Sequence, residues 1–432
     1  MNGNNSVLAV VLGEKLIAYL SLEGEYLIWK YTADWQKEGF AVSPHLPLSD
    51  NIPAITTTRF LRNLLPEGYA FDELLQNLHV SRNNTFALIR ALGLDIPGAL
   101  IFKQPETQIP EQGTFRLLTE KELIERLDER DIRSLVIWDG KPRLSVAGIQ
   151  DKINLMITSQ GQLGFGEGAL CSTHILKFER QKQSHLVVNE YLTMRLAKQC
   201  GLNVANAALQ QYGNHHALLV ERFDRKLIND NQVKRRHVID GCQALNLPPE
   251  YKYERNYGSN RDVAHIRDGA SLPLLFAFAD RCQNPAVTRQ QMLDWVLFNI
   301  LVYNLDAHGK NISFYVNSQG ISLTPLYDLI NVRLYPDMEQ ELAMALGDEF
   351  DSDNINAYQI ADFADSCQLQ RRYVAKRLKQ LIIKMMAVLP EEIASINEQF
   401  GYITYFNQYQ QIVASRCEHL IKQCSDIITV TL

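Results

Sequence analysis

The chain has 432 residues, with 43 Lys and Arg against 49 Asp and Glu, a formal net charge of -6, and 46% hydrophobic and 21% charged residues. That is enough chain for two or three domains with sizeable cores, and the acidic balance argues against a protein built mainly to coat nucleic acid, while leaving room for a local basic patch. The seven cysteines (Cys171, Cys200, Cys242, Cys282, Cys367, Cys417 and Cys424) are odd in number and form no C-x-x-C pair, which disfavours a disulfide framework or a cysteine zinc site and suits a reducing, cytoplasmic compartment.

Along the chain, residues 6–13, 14–23 and 25–31 read as three short strands separated by turn signals. Residues 57–78 look helical, interrupted by Pro66 and Gly68, and a second helical stretch stops at Gly93 before a strand, GALIFK. QPETQIPEQG at 104–113 is a linker-like run, and LTEKELIERLDERDI after it is an amphipathic helix whose Thr119 and Glu122 stand at capping-box spacing. Strand signals dominate 143–225, with one helix, VVNEYLTMRLAKQCGL, among them. From 272 onward the apolar spacing is helical through to the tail. The expected divisions are an α+β N-terminal subdomain at 1–110, a nucleotide-binding lobe at 111–225 and a helical catalytic lobe at 226–432. No basic stretch precedes an apolar one at the N-terminus, and no apolar run approaches the ~20 residues that span a bilayer, so no membrane role is expected.

The chemistry concentrates in NLDAHGKNISFY, residues 304–315, just past the helical stretch that ends near 305. Asp306 and Asn311 stand five apart, the separation of the base Asp and the metal-binding Asn in a protein-kinase catalytic loop. Lys310 between them is placed to face developing phosphoryl charge, and His308 is a loop residue near the nucleotide. LTPLYDLI then supplies Asp328 as a second Mg2+ ligand beside Tyr327; magnesium takes one or two carboxylates plus phosphate oxygens. Upstream, THILKFE places Lys177 inside an apolar strand, where a lysine is costly without a partner. A kinase uses such a lysine on the ATP phosphates and pairs it with a helix glutamate, here Glu190. The turn Ala147, Gly148, Ile149, Gln150, Asp151 and Lys152 has the small residues that let backbone N–H groups approach phosphate, although one glycine is a weak signal alone. Glu221, Arg222 and Phe223 at the end of a strand are placed to meet adenine as a hinge does.

Blander readings stand beside these. GQLGFGEGA at 161–169 contains G-x-x-G-x-G but lies in a hairpin rather than before a helix, which removes its phosphate reading. The basic runs KRRH (234–237) and RRYVAKRLK (371–379) read as solvated faces. His308 can be a loop-capping group, and Glu190 an ordinary helix charge.

Together, FLRNLLPEG, LSVAGIQDK, THILK, NEYLTMRLA, VERFDR, QALNLPPEYKY, DAHGKN and LTPLYDL, in that order over nearly the whole chain, resemble the HipA family, the kinase toxins of bacterial HipBA toxin–antitoxin pairs. The resemblance implies a two-lobed protein-kinase-like α+β fold and ATP- and Mg2+-dependent phosphorylation of serine on a protein, with aminoacyl-tRNA synthetases as the substrate class and translational arrest leading to dormancy. It implies Asp306 as base, Asn311 and Asp328 on the metal, Lys177 with 147–152 on the phosphates, and Glu221 to Phe223 on adenine. It implies autophosphorylation at Ser145, which would add about two negative charges where ATP needs amides and cations. It implies a helix-turn-helix antitoxin dimer, HipB-like, and operator DNA as partners. Ile149 and Asp151 depart mildly from the family's loop. A vestigial, DNA-bound corepressor and a small-molecule phosphotransferase remain as rival readings.

Overall fold

The computed structural model describes residues 6–108, 110, 112–143, 150–179, 183–401 and 403–432. They divide into two compact units, one comprising 1–187, 206–239 and 315–320, the other 188–205, 240–314 and 321–432. The expected three-part division at 110 and 225 is thus drawn differently by the packing. The N-terminal subdomain and the strand-rich region share a unit, while most of the helix Leu186–Gln199 groups with the helical part.

In the first unit, the three expected strands form an antiparallel meander, Val7–Leu12, Lys15–Glu23 and Tyr26–Tyr31, and Leu100–Lys103 pairs along the other edge of Val7–Leu12. The helices Ala54–Arg62 and Thr85–Leu92 close over it. Trp29 is 2% exposed and meets Phe60 and Phe102 edge-on at 6.0 and 6.2 Å. Such offset ring pairs add to the stabilisation that burial alone supplies. A second, six-stranded sheet runs in the order Ala207–Tyr212, His215–Glu221, His174–Phe178, Lys152–Ile157, Leu163–Glu167 and Thr114–Leu117. Its apolar face (Ile153, Leu155, Phe165, Leu176, Phe178) shares one core with Leu123 and Leu127 of the helix Glu120–Asp128. Thr119 caps that helix as its spacing predicts, its side chain accepting the Glu122 N–H at 3.2 Å. In the sequence, HHALLVERFDR (215–225) reads as a single strand. The strand instead stops at Glu221, and Arg225–Asn229 with Gln232–Arg235 forms a hairpin of its own.

The cause of that break is a buried ion cluster. The Arg222 guanidinium holds both oxygens of Asp224, at 3.0 and 2.8 Å, and Arg225 reaches the same carboxylate at 2.8 Å and the Gly98 carbonyl at 2.6 Å. Burial by itself would raise the Asp224 carboxyl, but the two guanidinium groups outweigh it and hold the group well below the usual carboxylate range. Turning three charged residues inward is incompatible with the alternating exposure of a continuing strand.

His237, 5% exposed, lies beside this cluster, and its Nε2–H donates to the Val42 carbonyl at 2.8 Å. Burial pushes its pKa down to about 4 from the ordinary 6.5. The folded state therefore keeps the ring neutral while the unfolded chain protonates it, so stability is full above about pH 6.5 and declines as pH falls towards 4. The group accounts for a loss of about 3 kcal/mol across that window. His237→Gln keeps an amide donor and cannot titrate, so its denaturation midpoint should fall less steeply from pH 6.5 to 4 than that of the wild type; parallel slopes would refute this assignment.

The second unit is built on helices. Pro285–Leu301 starts with Asn284 capping Val287 N–H and proline at its first position, and its second half, 295–301, is buried on every side, as a helix entering a core must be. Arg371–Phe400 packs beside it, carries Pro390 in its interior, and ends at Gly401 in the left-handed conformation (φ 71°) that glycine adopts without strain. Ile403–Gln423 buries Phe406 and Tyr409. Among the described residues, no helix is long and apolar enough to cross a membrane.

Candidate active site

The helix Pro285–Leu301 ends at Val302, and the chain reverses through Tyr303 at φ 54°. Asn304 then ties the following loop down. Its backbone N–H donates to the Asn299 carbonyl at 2.9 Å, and its Nδ2 donates to Asn299 Oδ1 at 3.1 Å and to the Asp328 carbonyl at 3.4 Å. Thus Asp328 is joined by backbone to the stretch that carries Asp306.

Within the loop, the Asp306 carbonyl is the organising acceptor. It takes the His308 N–H at 2.8 Å and the Asn311 Nδ2–H at 2.8 Å. The second bond commits the nitrogen end of the Asn311 amide, which assigns Oδ1 as the end available to a cation. The Asp306 carboxylate Oδ1 accepts a hydrogen bond from the Tyr253 hydroxyl at 2.8 Å. Asp328 itself has φ 51°, a left-handed backbone that Asp tolerates better than most residues. Tyr327 next to it donates its hydroxyl to the Lys310 carbonyl at 2.7 Å and meets Ser313 Oγ at 2.6 Å, which staples the Asp328 stretch to the Asn311 stretch. Burial keeps the Tyr327 hydroxyl well above its ordinary pKa and hence a donor.

The glycine of DAHGKN is required by contact. A Cβ at Gly309 would stand 2.6 Å from Ala270 Cβ and 3.2 Å from Cys242 Sγ, and its N–H already donates to the Lys252 carbonyl at 2.9 Å. Gly309→Ala must therefore displace the loop. We expect roughly tenfold or greater loss of phosphoryl transfer, with circular dichroism unchanged; a displacement of about 1 Å at reacting groups costs on this scale or more.

Several expected site residues take other roles. Lys310 does not present its ammonium outward. Its Nζ pairs with Asp240 Oδ2 at 2.7 Å and is buried, while Asp240 Oδ1 caps the short helix Gly241–Ala244 by accepting the Gln243 N–H at 2.8 Å. The reason is burial: an ammonium held beneath the loop needs a carboxylate close by. Lys310 thus helps to fix the loop through this pair. His308, 6% exposed, is also structural, with Nδ1 accepting the Lys310 N–H at 3.2 Å and its ring edge-on to Tyr253 at 5.1 Å between centroids. The Tyr327 hydroxyl is spent on the loop, as above.

In the first unit, Lys177 lies directly across the sheet from Lys152, and both are buried, at 6% and 4% exposure. Opposed residues of an antiparallel pair share a face, and like charges so placed repel unless negative charge attends them. This concentration of positive charge suits a polyphosphate. Asp151 holds the next strand by accepting the Phe178 N–H at 2.8 Å. Gln150 opens the described part of the loop, whereas Ser145, Ala147, Gly148 and Ile149 lie outside the described residues. At the strand end, Glu221 donates its N–H to the Asn206 carbonyl at 2.8 Å and Arg222 its N–H to the Thr173 carbonyl at 2.9 Å. The Phe223 carbonyl accepts from the Tyr315 hydroxyl at 2.9 Å, and the two rings meet edge-on at 6.1 Å. The Arg222 side chain belongs to the buried ion cluster. Glu190, 3% exposed, sits on the helix Leu186–Gln199 in the second unit.

Sequence reasoning assigned no role to Tyr253 or Asp240. The motif QALNLPPEYKY pointed at the right segment, but nothing in its pattern marks which tyrosine meets the base.

A strand-rich unit carrying paired buried lysines, with a helical unit carrying a D-x-x-x-x-N loop and a following Asp, defines a protein-kinase-like phosphotransferase, α+β in class. Two family models match the chain, the HipA N-terminal domain over residues 8–103 and the HipA-like C-terminal domain over 144–389. The serine/threonine-protein kinase toxin HipA of Shewanella oneidensis is 44% identical over 423 residues, 95% of each chain. A relative from Sinorhizobium fredii is 33% identical over 387 residues, 86% of this chain and 89% of that one. Among solved structures, the Shewanella oneidensis complex of HipA, HipB and operator DNA superposes with a TM-score of 0.90 at 42% identity, over 98% of this chain and 100% of that one. The chain belongs to the HipA family, and as a serine/threonine protein kinase of that family it uses ATP.

Proposed function

We propose that the chain is the toxin of a type II toxin–antitoxin pair in the cytoplasm, transferring the γ-phosphate of ATP to a protein serine, with Asp306 as the base. One observation carries the assignment: the backbone carbonyl of Asp306 orients the Asn311 amide, so the base and a metal ligand are set by a single loop geometry. Asn311 Oδ1 and the Asp328 carboxylate are an oxygen donor set that fits magnesium. Bound there, the ion would neutralise charge on the phosphate oxygens. Asp306 accepts the proton of the attacking serine hydroxyl as its oxygen bonds to the γ-phosphorus and the bond to the β-phosphate oxygen breaks. Lys177, with Lys152 opposite, holds phosphate charge, and backbone at Glu221 to Phe223 receives the adenine edge.

The remaining parts of the proposal rest on the relatives. The solved complex of the Shewanella protein supports a HipB-like helix-turn-helix antitoxin and, through it, operator DNA as partners. An aminoacyl-tRNA synthetase is the proposed substrate, Ser145 the proposed autophosphorylation site, and arrest of translation with dormancy the proposed outcome.

The test uses the purified wild-type chain. Titration calorimetry should show magnesium-dependent ATP binding, and mass spectrometry after incubation with ATP and magnesium should find phosphate on Ser145. Absence of ATP binding would mark the site as vestigial and favour a corepressor. Phosphorylation of aminoglycoside-type small molecules, with Ser145 unlabelled, would favour a small-molecule phosphotransferase.

A further inference from the structure

We infer that Tyr253 is a positioning residue for the phosphoryl-transfer reaction, holding the Asp306 carboxylate in one orientation; this rests on the reading of Asp306 as the base. The hydroxyl of Tyr253 donates to Asp306 Oδ1 at 2.8 Å. One carboxylate oxygen is thereby committed, and Oδ2 is the oxygen left to accept the substrate proton. A free carboxylate on a two-bond side chain samples rotamers; one pinned by a phenol does not, and restricting a base to its reactive orientation is worth rate.

Such a pin works only if the tyrosine itself is fixed, and every neighbour of Tyr253 in the chain is anchored. Lys252 gives its carbonyl to the Gly309 N–H of the catalytic loop at 2.9 Å. Glu254 gives its N–H to the Ala343 carbonyl at 2.9 Å, and its buried carboxylate takes the Ala345 N–H at 2.8 Å and the Arg267 Nε–H at 2.7 Å. At Tyr253 itself, Gly269 packs so closely that a Cβ there would stand 1.8 Å from the tyrosine carbonyl oxygen. The phenol ring stands edge-on to His308 at 5.1 Å, with Lys252 Nζ 5.3 Å from its centroid. Because Ala343 in turn donates its N–H to the Leu305 carbonyl at 2.9 Å, the strand Glu341–Leu346 links the tyrosine segment and the base segment through a second route. These bonds fix the backbone on both sides of the half-buried tyrosine.

The test compares wild type, Tyr253→Phe and Asp306→Gln as full-length chains, following phosphate transfer from ATP at pH 7. In Tyr253→Phe, kcat should fall roughly tenfold with the KM for ATP unchanged. A merely structural tyrosine would lower stability without splitting kcat from KM. As a second variant, 3-fluorotyrosine placed at position 253 alone keeps the shape and the hydroxyl donor, and it should keep kcat near that of the wild type; this arm stands even if Tyr253→Phe folds poorly. A folded fluorotyrosine protein with kcat lowered roughly tenfold, or unchanged kcat in a folded Tyr253→Phe, overturns the inference. If Asp306→Gln retains activity, the assignment of the base is what fails, and the two failures are told apart by which variant stays active.

Discussion

Asp306→Gln is expected to lower phosphoryl transfer by about 10²–10⁴-fold, the contribution typical of a positioned general base. The neutral amide has no affinity for the serine proton, so the nucleophile must shed it to water. The Asp306 backbone carbonyl, which orders His308 and Asn311, is untouched by the substitution. Magnesium-dependent ATP binding should therefore survive, and the far-ultraviolet circular dichroism spectrum should match that of the wild type. The decisive measurement is incorporation of labelled γ-phosphate under single-turnover conditions. Wild-type rates in the variant would remove Asp306 from the reaction. Loss of ATP binding together with activity would mean that the substitution had acted through the fold instead.

Asp224→Asn is expected to be the most damaging conservative change in the first unit. The substitution keeps the shape and the acceptor for the Gly98 N–H, now bonded to Asp224 at 2.8 Å, but removes the buried charge shared by Arg222 and Arg225. Both guanidinium groups are buried, with side-chain exposures of 2% and 0%. Asp95, partly exposed, is 3.3 Å from Arg225 and compensates only in part. Breaking a buried pair while leaving the partner charge typically costs about 3–5 kcal/mol. Chemical denaturation should show a loss of that order, with the kinase reaction of the surviving folded fraction nearly unchanged. A loss under about 1 kcal/mol would show that water or Asp95 already neutralises the cluster.

These two expectations fall on residues that the sequence treats very differently. DAHGKN was legible because its chemistry is local: base, glycine and amide lie within six residues, and the loop they form is held by bonds among themselves. Lys177 was legible because a lysine in an apolar strand contradicts its surroundings. By contrast, VERFDR read as the end of a strand and a hinge. That Arg222 turns inward to Asp224, and that the strand ends at Glu221, depends on Asp95 and Gly98, more than a hundred residues earlier. The buried ion pair of Lys310 was illegible for a related reason. Its partner, Asp240, is 70 residues away, and no local pattern announces the pairing.

The sequence alone determined the fold class and marked the D-x-x-x-x-N loop with the Asp that follows it, because periodic apolar spacing and short-range motifs are properties of neighbouring residues. Tertiary structure alone decided which charged groups are spent on holding the molecule together and which are left for chemistry. Lys310, Tyr327 and Arg222 were drawn into buried or loop-fixing bonds, while Tyr253 was brought against Asp306 from 53 residues away. The physical reason is that a polar group's role is set by what desolvates it and what bonds to it, and both are supplied by residues remote in sequence.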